Sequence, residues 1–278
     1  MRACIMTIHR LAIASAVFIG LYLLVSYLIL PATWKRYERE PRLAKKTMLT
    51  ENGAHIPGGP INIALIGSRE DVLRAFHAAG WYPADPITLR SSIEIAGSVV
   101  LRRPYRDAPV SPLYFDGRSE DLAFEKPEGE SAAHRHHVRL WQVLAEGADL
   151  RPVWLAAVSF DRSVGLSHDT GQVTHHIAPD LDAERDRLIG DFNRARMVQT
   201  IEQWPGIGPT LSGRNGEGDP YFTDGEIWAA TLAVGGKPQA EQAQTLAPPL
   251  LIQAKNALWP QIVAALGARK QTAPLSDQ

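Results

Sequence analysis

The sequence predicts an α+β protein: one N-terminal transmembrane helix, then a single domain with a largely antiparallel or mixed β-sheet and flanking helices. Three observations predict it. An uncharged apolar run near the N-terminus is long enough to cross a bilayer. Several short strand-like stretches then follow one another with no helical pattern between them, and amphipathic helices flank that block instead of alternating with it.

Leu11 to Leu30 is a run of twenty uncharged residues, twelve of them Leu, Ile, Val or Phe. As a helix it spans roughly 30 Å of hydrocarbon. Its twelve large apolar residues favour insertion by roughly 4 to 7 kcal/mol. Tyr27 and Trp34 stand at interfacial positions, and Lys35-Arg36 close the run. A cleaved signal peptide has a shorter apolar region of about 7–15 residues and a small-x-small cleavage site. Leu30-Pro31-Ala32-Thr33-Trp34 offers none, so a retained anchor is expected. The basic residues Lys35, Arg36, Arg39, Arg42, Lys45 and Lys46 after the run outnumber Arg2 and Arg10 before it, which narrowly favours a cytoplasmic C-terminal part. The single cysteine, Cys4, leaves no disulfide to staple the domain.

The organisation expected is a tail at 1–10, an anchor at 11–34, a basic collar and linker at 35–60, one α+β domain at 61–240, and a C-terminal amphipathic helix and tail at 241–278. Ile61–Gly67 reads as a buried strand. Ser68 caps a helix with Asp71 three residues on, and Gly80 ends it. Asp85-Pro86 opens a second helix to about Val100. Val110–Phe115 and Asp121–Lys126 flank an Asp-Gly turn, a hairpin signal. His134–Leu144, Pro152–Phe160 and Gln172–Ala178 are further strands. A helix follows from Leu181 to Arg196, then a glycine-rich loop at Pro205–Pro220 and a strand at Gly225–Leu232. Leu250–Leu266 reads as a broken apolar helix interrupted at Trp259-Pro260, packed on the domain or lying at the membrane surface.

From Thr47 onward there are 21 Lys and Arg against 28 Asp and Glu, a net charge near −7. Nonspecific nucleic-acid binding needs a basic surface, so nucleic acid is excluded as a partner. The bilayer is the expected partner, with a membrane protein as a further candidate. No cofactor is named by any motif.

Chemistry concentrates in two histidine runs, His134–Trp141 and Gln172–Ile177, which hold five of the nine histidines. Successive strand residues point to opposite faces, so neither His136-His137 nor His175-His176 can aim both rings at one site. His136 shares a face with Val138 and Leu140, and His175 shares one with Val173 and Ile177, so both are expected in the core. His137 lies with Arg135, Arg139 and Trp141, and His176 with Gln172 and Thr174. Those faces are expected to line a site or meet water.

Three readings stay open: structural histidines, an anion site, and a metal site. The anion reading draws on Arg118, Lys126, Arg135, Arg139 and Arg162, because guanidinium forks suit phosphate oxygens. The metal reading needs one histidine from each run and a carboxylate such as Asp161 or Asp180. No Cys-pair or helical His-x-x-x-His spacing supports it, so no metal ligand is assigned. His168-Asp169-Thr170 matches half of a two-histidine phosphoesterase signature whose second copy is lacking. Gly-x-Ser-x-Gly, Walker and dinucleotide fingerprints are absent from the sequence.

The runs Ile61–Ser68, Gly80–Pro86, Ser111–Tyr114, Gly117-Arg118 with Asp121–Lys126, Arg135–Trp141, Trp154–Gly165 and Gln172–Arg185 together resemble the LssY C-terminal domain family. The resemblance implies a bacterial inner-membrane protein. The family's companion domains, phosphatase-like or multi-span, imply a setting in lipid or phosphate metabolism. The functional expectation is therefore an anchored accessory or sensor binding an anionic phosphate or lipid headgroup. A phosphoester hydrolase is the alternative, with His137, His176 and Asp161 as catalytic groups and the arginines neutralising charge. A non-catalytic interaction module is the third.

Overall fold

The computed structural model describes residues 2–84, 113–129, 134–168, 171 and 173–272. The helix expected at 85–100 lies outside these residues. Helix α1 (Arg2–Leu24) continues through a π-turn at Val25–Ile29 into α2 (Leu30–Tyr37). Pro31 explains the wide turn. Its nitrogen has no hydrogen to give the carbonyl four residues back, and a π-turn relieves that mismatch. Within this rod, His9–Lys35 is long and apolar enough to cross a membrane, and Phe18, Tyr27 and Trp34 stand exposed along it.

The domain is built on a nine-stranded mixed sheet. Its order is β15 (Gln244–Thr245), β11 (Val198–Pro205), β14 (Glu226–Leu232), β3 (Ile63–Ile66), β9 (Val153–Leu166), β8 (Arg135–Leu144), β7 (Leu122–Pro127) and β4 (Tyr82–Pro83). Strand β10 (Val173–Ile177) pairs with the far half of β9. Only β14–β3 and β11–β15 run parallel; the other described pairs in this sheet are antiparallel. Strand β9 is long because it serves β3 along its first half and β10 along its second.

Helices α3 (Arg69–Ala78) and α4 (Leu181–Arg194) cover one face. Ser68 and Asp71 form the expected capping box, with reciprocal bonds of 3.1 and 3.2 Å. At the other end Gly80 takes φ +76°, and the Gly80 and Trp81 amides return to His77 and Phe76. That turn folds Trp81 back onto Phe76, which also stacks on Phe124 at 4.1 Å and meets Phe192 edge-on. Leu65, Val138, Leu140 and Leu188 complete this core.

The opposite face has its own core of Ala64, Ile66, Trp141, Leu155 and Ile227. It is roofed by a four-stranded sheet, β2 (Pro57–Pro60), β1 (Leu49–Glu51), β5 (Tyr114–Phe115) and β6 (Arg118–Ser119). Residues 49–60, expected within a linker, thus contain two strands. Their glycines and prolines hide the strand pattern, while Leu43 and Met48 beside them supply buried apolar anchors.

The expected loop at 205–220 carries a hairpin of β12 (Thr210–Arg214) and β13 (Pro220–Thr223). Asn215 shapes its turn, its Oδ1 accepting from the Glu217 and Asp219 amides. Helix α5 (Leu250–Thr272) is continuous through Pro260 instead of broken there. Trp259 donates to Asp182 at 3.1 Å and Lys255 pairs with Glu226 at 2.6 Å, which fastens the turns before the proline to the domain.

Candidate functional site

Register assembles the site. Across β8 and β9, Arg135 faces Asp161, His137 faces Ser159, and Arg139 faces Ala157. Directly paired residues share a face, so these side chains crowd one patch on the side away from α3 and α4. Glu125 of β7 joins them opposite His137. All the charged members are buried: Glu125 at 0 %, Asp161 at 1 %, Arg135 at 2 %, His137 at 5 % and Arg139 at 6 % exposure.

Strand β10 enters through a register shift. His176 pairs with Ser163, but the next residue, Ile177, pairs with Asp161. The extra residue in β9, Arg162, is exposed. This bulge keeps Ile177 and His175 on the face of Asp161 and sends His176 to the other side. Together with Asn52, Gly58, Gly59, Thr174 and the 215–217 turn, the cluster apart from Glu125 lines a cavity of about 100 Å³.

Inside it Arg135 bridges two carboxylates, with Nε 3.0 Å from Asp161 and Nη1 2.9 Å from Glu125. The His137 ring lies between Ser159 and Asp161. Its Nε2 is 2.9 Å from Ser159 Oγ, and its Nδ1 is 3.0 Å from Asp161 Oδ1, off the hydrogen-bond axis. Arg139 makes no ion pair among the described residues, and its Nε has no hydrogen-bond partner; nor does His175 Nε2. Burial drives the proton affinities. It pushes His137 below its ordinary value, against the opposing pull of Asp161, and pushes His175 down to about 4. Burial also brings Arg139 down to about 10 despite the attraction of Glu120 and Asp161. Asp161 is the reverse case: burial would raise it, but His137, His175 and Arg135 hold it well below the usual carboxylate range.

Of the residues singled out in the sequence, Arg135, His137, Arg139 and Asp161 meet in this cavity. Four others do not. Arg118 is exposed, donating to Asp121 and to the Gln142 carbonyl. Lys126 pairs with Asp191 at 2.8 Å beside α4, because it sits opposite His136 on the helix side. Arg162 is the exposed bulge residue, and His176 faces Asp219. His136 lies in the helix-side core, its Nδ1 2.6 Å from Glu184. His175, expected among core residues, is half-buried and lines the cavity, its Nε2 shut off from water. Ser159 and Glu125 were not singled out; Ser159 shares strand parity with Asp161, a signal legible in the sequence.

The family model for the LssY C-terminus matches residues 41–227. The chain belongs to this family. The family's segment encloses the cavity, from Asn52 to Glu217, while the apolar N-terminal helix and α5 lie outside it. No curated protein and no solved structure matches the chain.

Proposed function

We propose that this LssY C-terminus protein is a membrane-anchored binding domain for a small anion, a phosphate or a phosphate-bearing lipid headgroup, acting as an accessory or sensor. The observation that carries this reading is Arg139. An arginine residue only 6 % exposed, with no ion pair among the described residues and no hydrogen-bond partner for its Nε, bears a hydration loss of several kcal/mol. An anion in the cavity would offset that cost through charge-assisted bonds. His175 Nε2 offers a further free donor or acceptor. Glu125 and Asp161 both pair with Arg135, and neither makes an ion pair with Arg139 among the described residues, which leaves the Arg139 fork as the group an anion would meet. A cavity of about 100 Å³ is well below the roughly 300 Å³ of a drug-sized pocket, so it suits one headgroup, not a whole lipid. In this reading His9–Lys35 anchors the domain at the bacterial inner membrane with its bulk on the cytoplasmic side.

The test is equilibrium dialysis of the full chain in detergent micelles against inorganic phosphate, alongside flotation on vesicles with and without phosphatidic acid. Wild type is expected to bind. Arg139→Gln is expected to weaken binding about tenfold to a hundredfold, and the exposed Arg118→Gln to leave it unchanged. Equal binding by wild type and Arg139→Gln overturns the reading.

A second reading is favoured by the line Ser159–His137–Asp161. It has the order of a nucleophile, a base and an orienting carboxylate. His137 Nε2 would take the Ser159 proton as Oγ bonds to phosphorus. The departing alkoxide would then receive that proton, with Arg139 neutralising the phosphoryl oxygens; a water giving its proton to His137 would next attack phosphorus, breaking the Oγ–P bond and returning the proton to Ser159. Turnover of an activated phosphodiester that vanishes in Ser159→Ala would establish it. Equal rates in both proteins would refute it.

A further inference from the structure

On the far side of β10 from the cavity, three residues from separate segments converge. His168 follows β9, His176 lies on β10, and Asp219 closes the hairpin turn before β13. His176 Nδ1 is 2.7 Å from Asp219 Oδ1, and His168 Nε2 is 3.9 Å from the same oxygen. One donor atom from each residue lies within 4.8 Å of the others. We propose that His168, His176 and Asp219 bind one divalent transition-metal ion of the zinc type, with the fourth position open to water.

The donor set is the first support. Two neutral imidazoles and one carboxylate are characteristic ligands of zinc and its neighbours, and they do not suit calcium or magnesium. The spacing is the second. Metal–ligand bonds of about 2.0–2.1 Å in a tetrahedron separate donor atoms by roughly 3.3 Å. The observed 2.7 and 3.9 Å bracket that value. His168, with 61 % of its side chain exposed, is free to take up the difference.

Pre-orientation is the third support. Asp219 is 1 % exposed, and its Oδ2 is engaged by the Ile177 amide at 3.0 Å and by Asn215 at 3.4 Å, which leaves Oδ1 aimed at the imidazoles. His176 is held as firmly. Its Nδ1 is fixed by Asp219, and its ring lies across Gly165, where a Cβ would stand 2.5 Å from Nε2. A structural His176–Asp219 pair alone leaves His168 without purpose. That ring stands 5.2 Å from the His176 ring and makes no side-chain hydrogen bond among the described residues.

The ion would tie β10 to the 215–219 turn, and residues 215–217 of that turn form one wall of the cavity. The two sites are separable because His175 and His176 face opposite ways. The test uses the full, tag-free chain in detergent micelles, stripped with a chelator and titrated with Zn²⁺ by calorimetry and with Co²⁺ by visible absorption. One Zn²⁺ per chain at micromolar affinity or tighter, with the intense visible bands of four-coordinate Co²⁺, is expected. His168→Ala, an exposed change that spares folding, is expected to weaken Zn²⁺ binding about tenfold or more. Asp219→Asn is expected to abolish it, and Arg139→Gln to leave it intact. No saturable Zn²⁺ binding, or wild-type affinity in His168→Ala, overturns the proposal. Loss of Zn²⁺ in Arg139→Gln would put the ion in the cavity and overturn it equally.

Discussion

The two faces of β8 are equally buried and chemically opposite. Toward the helices, His136, Val138 and Leu140 pack with Phe124, Trp154 and Leu188, and His136 Nδ1 is bonded to Glu184. Toward the cavity, Arg135, His137 and Arg139 sit at 2–6 % exposure, yet Arg139 Nε and His137 Nδ1 lack hydrogen-bond partners. Exposure does not separate core from site here; the number of open buried polar atoms does, with His136 Nε2 on the helix side against Arg139 Nε, His137 Nδ1 and Asp161 Oδ1 on the other. Buried polar atoms are normally paired, so a strand face that leaves several open marks where a ligand would finish the pairing.

The comparison can be broken hardest on the helix side. Phe76→Ala removes a ring packed against Phe124, Phe192 and Trp81, and is expected to cost about 3–5 kcal/mol in urea denaturation. Asp161→Asn takes one of its two carboxylates from Arg135 and removes the charge beside His137. It is expected to cost about 3 kcal/mol by the same measurement.

Arg139→Met removes a buried charge that makes no ion pair among the described residues. Its stability is expected within about 1 kcal/mol of wild type or above it, while phosphate binding is lost. A large destabilisation would show that Arg139 is structural.

A smaller effect is expected from pH. His137 has a folded-state proton affinity below its ordinary value, so the unfolded chain binds the proton more readily. Stability from this group is present above the unfolded pKa of about 6.5 and is lost as pH falls below it. His137→Gln should therefore shrink the stability difference between roughly pH 7 and pH 5.5. The smallest effect belongs to Arg118→Ala, an exposed pair expected to stay within about 0.5 kcal/mol of wild type.

Much of this was legible in the chain. Period-two alternation is local, so His136 and His137 could be assigned to opposite faces from Arg135–Trp141 alone, as could the capping box at Ser68. Lys126 misled because its face depends on its partner. Pairing with His136 turns it to α4, and no local pattern in β7 declares that. His175 misled for a related reason. It does share a face with Ile177, but it is only half-buried, and the bulge at Arg162 decides that this face is the one holding Asp161. The 205–220 segment read as loop because its glycines and prolines mask a hairpin held by the Asn215 side chain.

The sequence by itself determined the apolar helix, the strand-rich α+β domain and the sorting of adjacent histidines. These depend on run length, on period and on capping pairs a few residues apart. Tertiary structure alone decided which faces meet. It joined Arg135, His137 and Arg139 to Asp161, excluded Arg118, Lys126 and Arg162, and brought His168 and His176 to Asp219, about fifty and about forty residues away. Register between distant strands, and one inserted residue in β9, set those encounters. Both are properties of the packed sheet, because a shift of one residue moves every side chain to the other face.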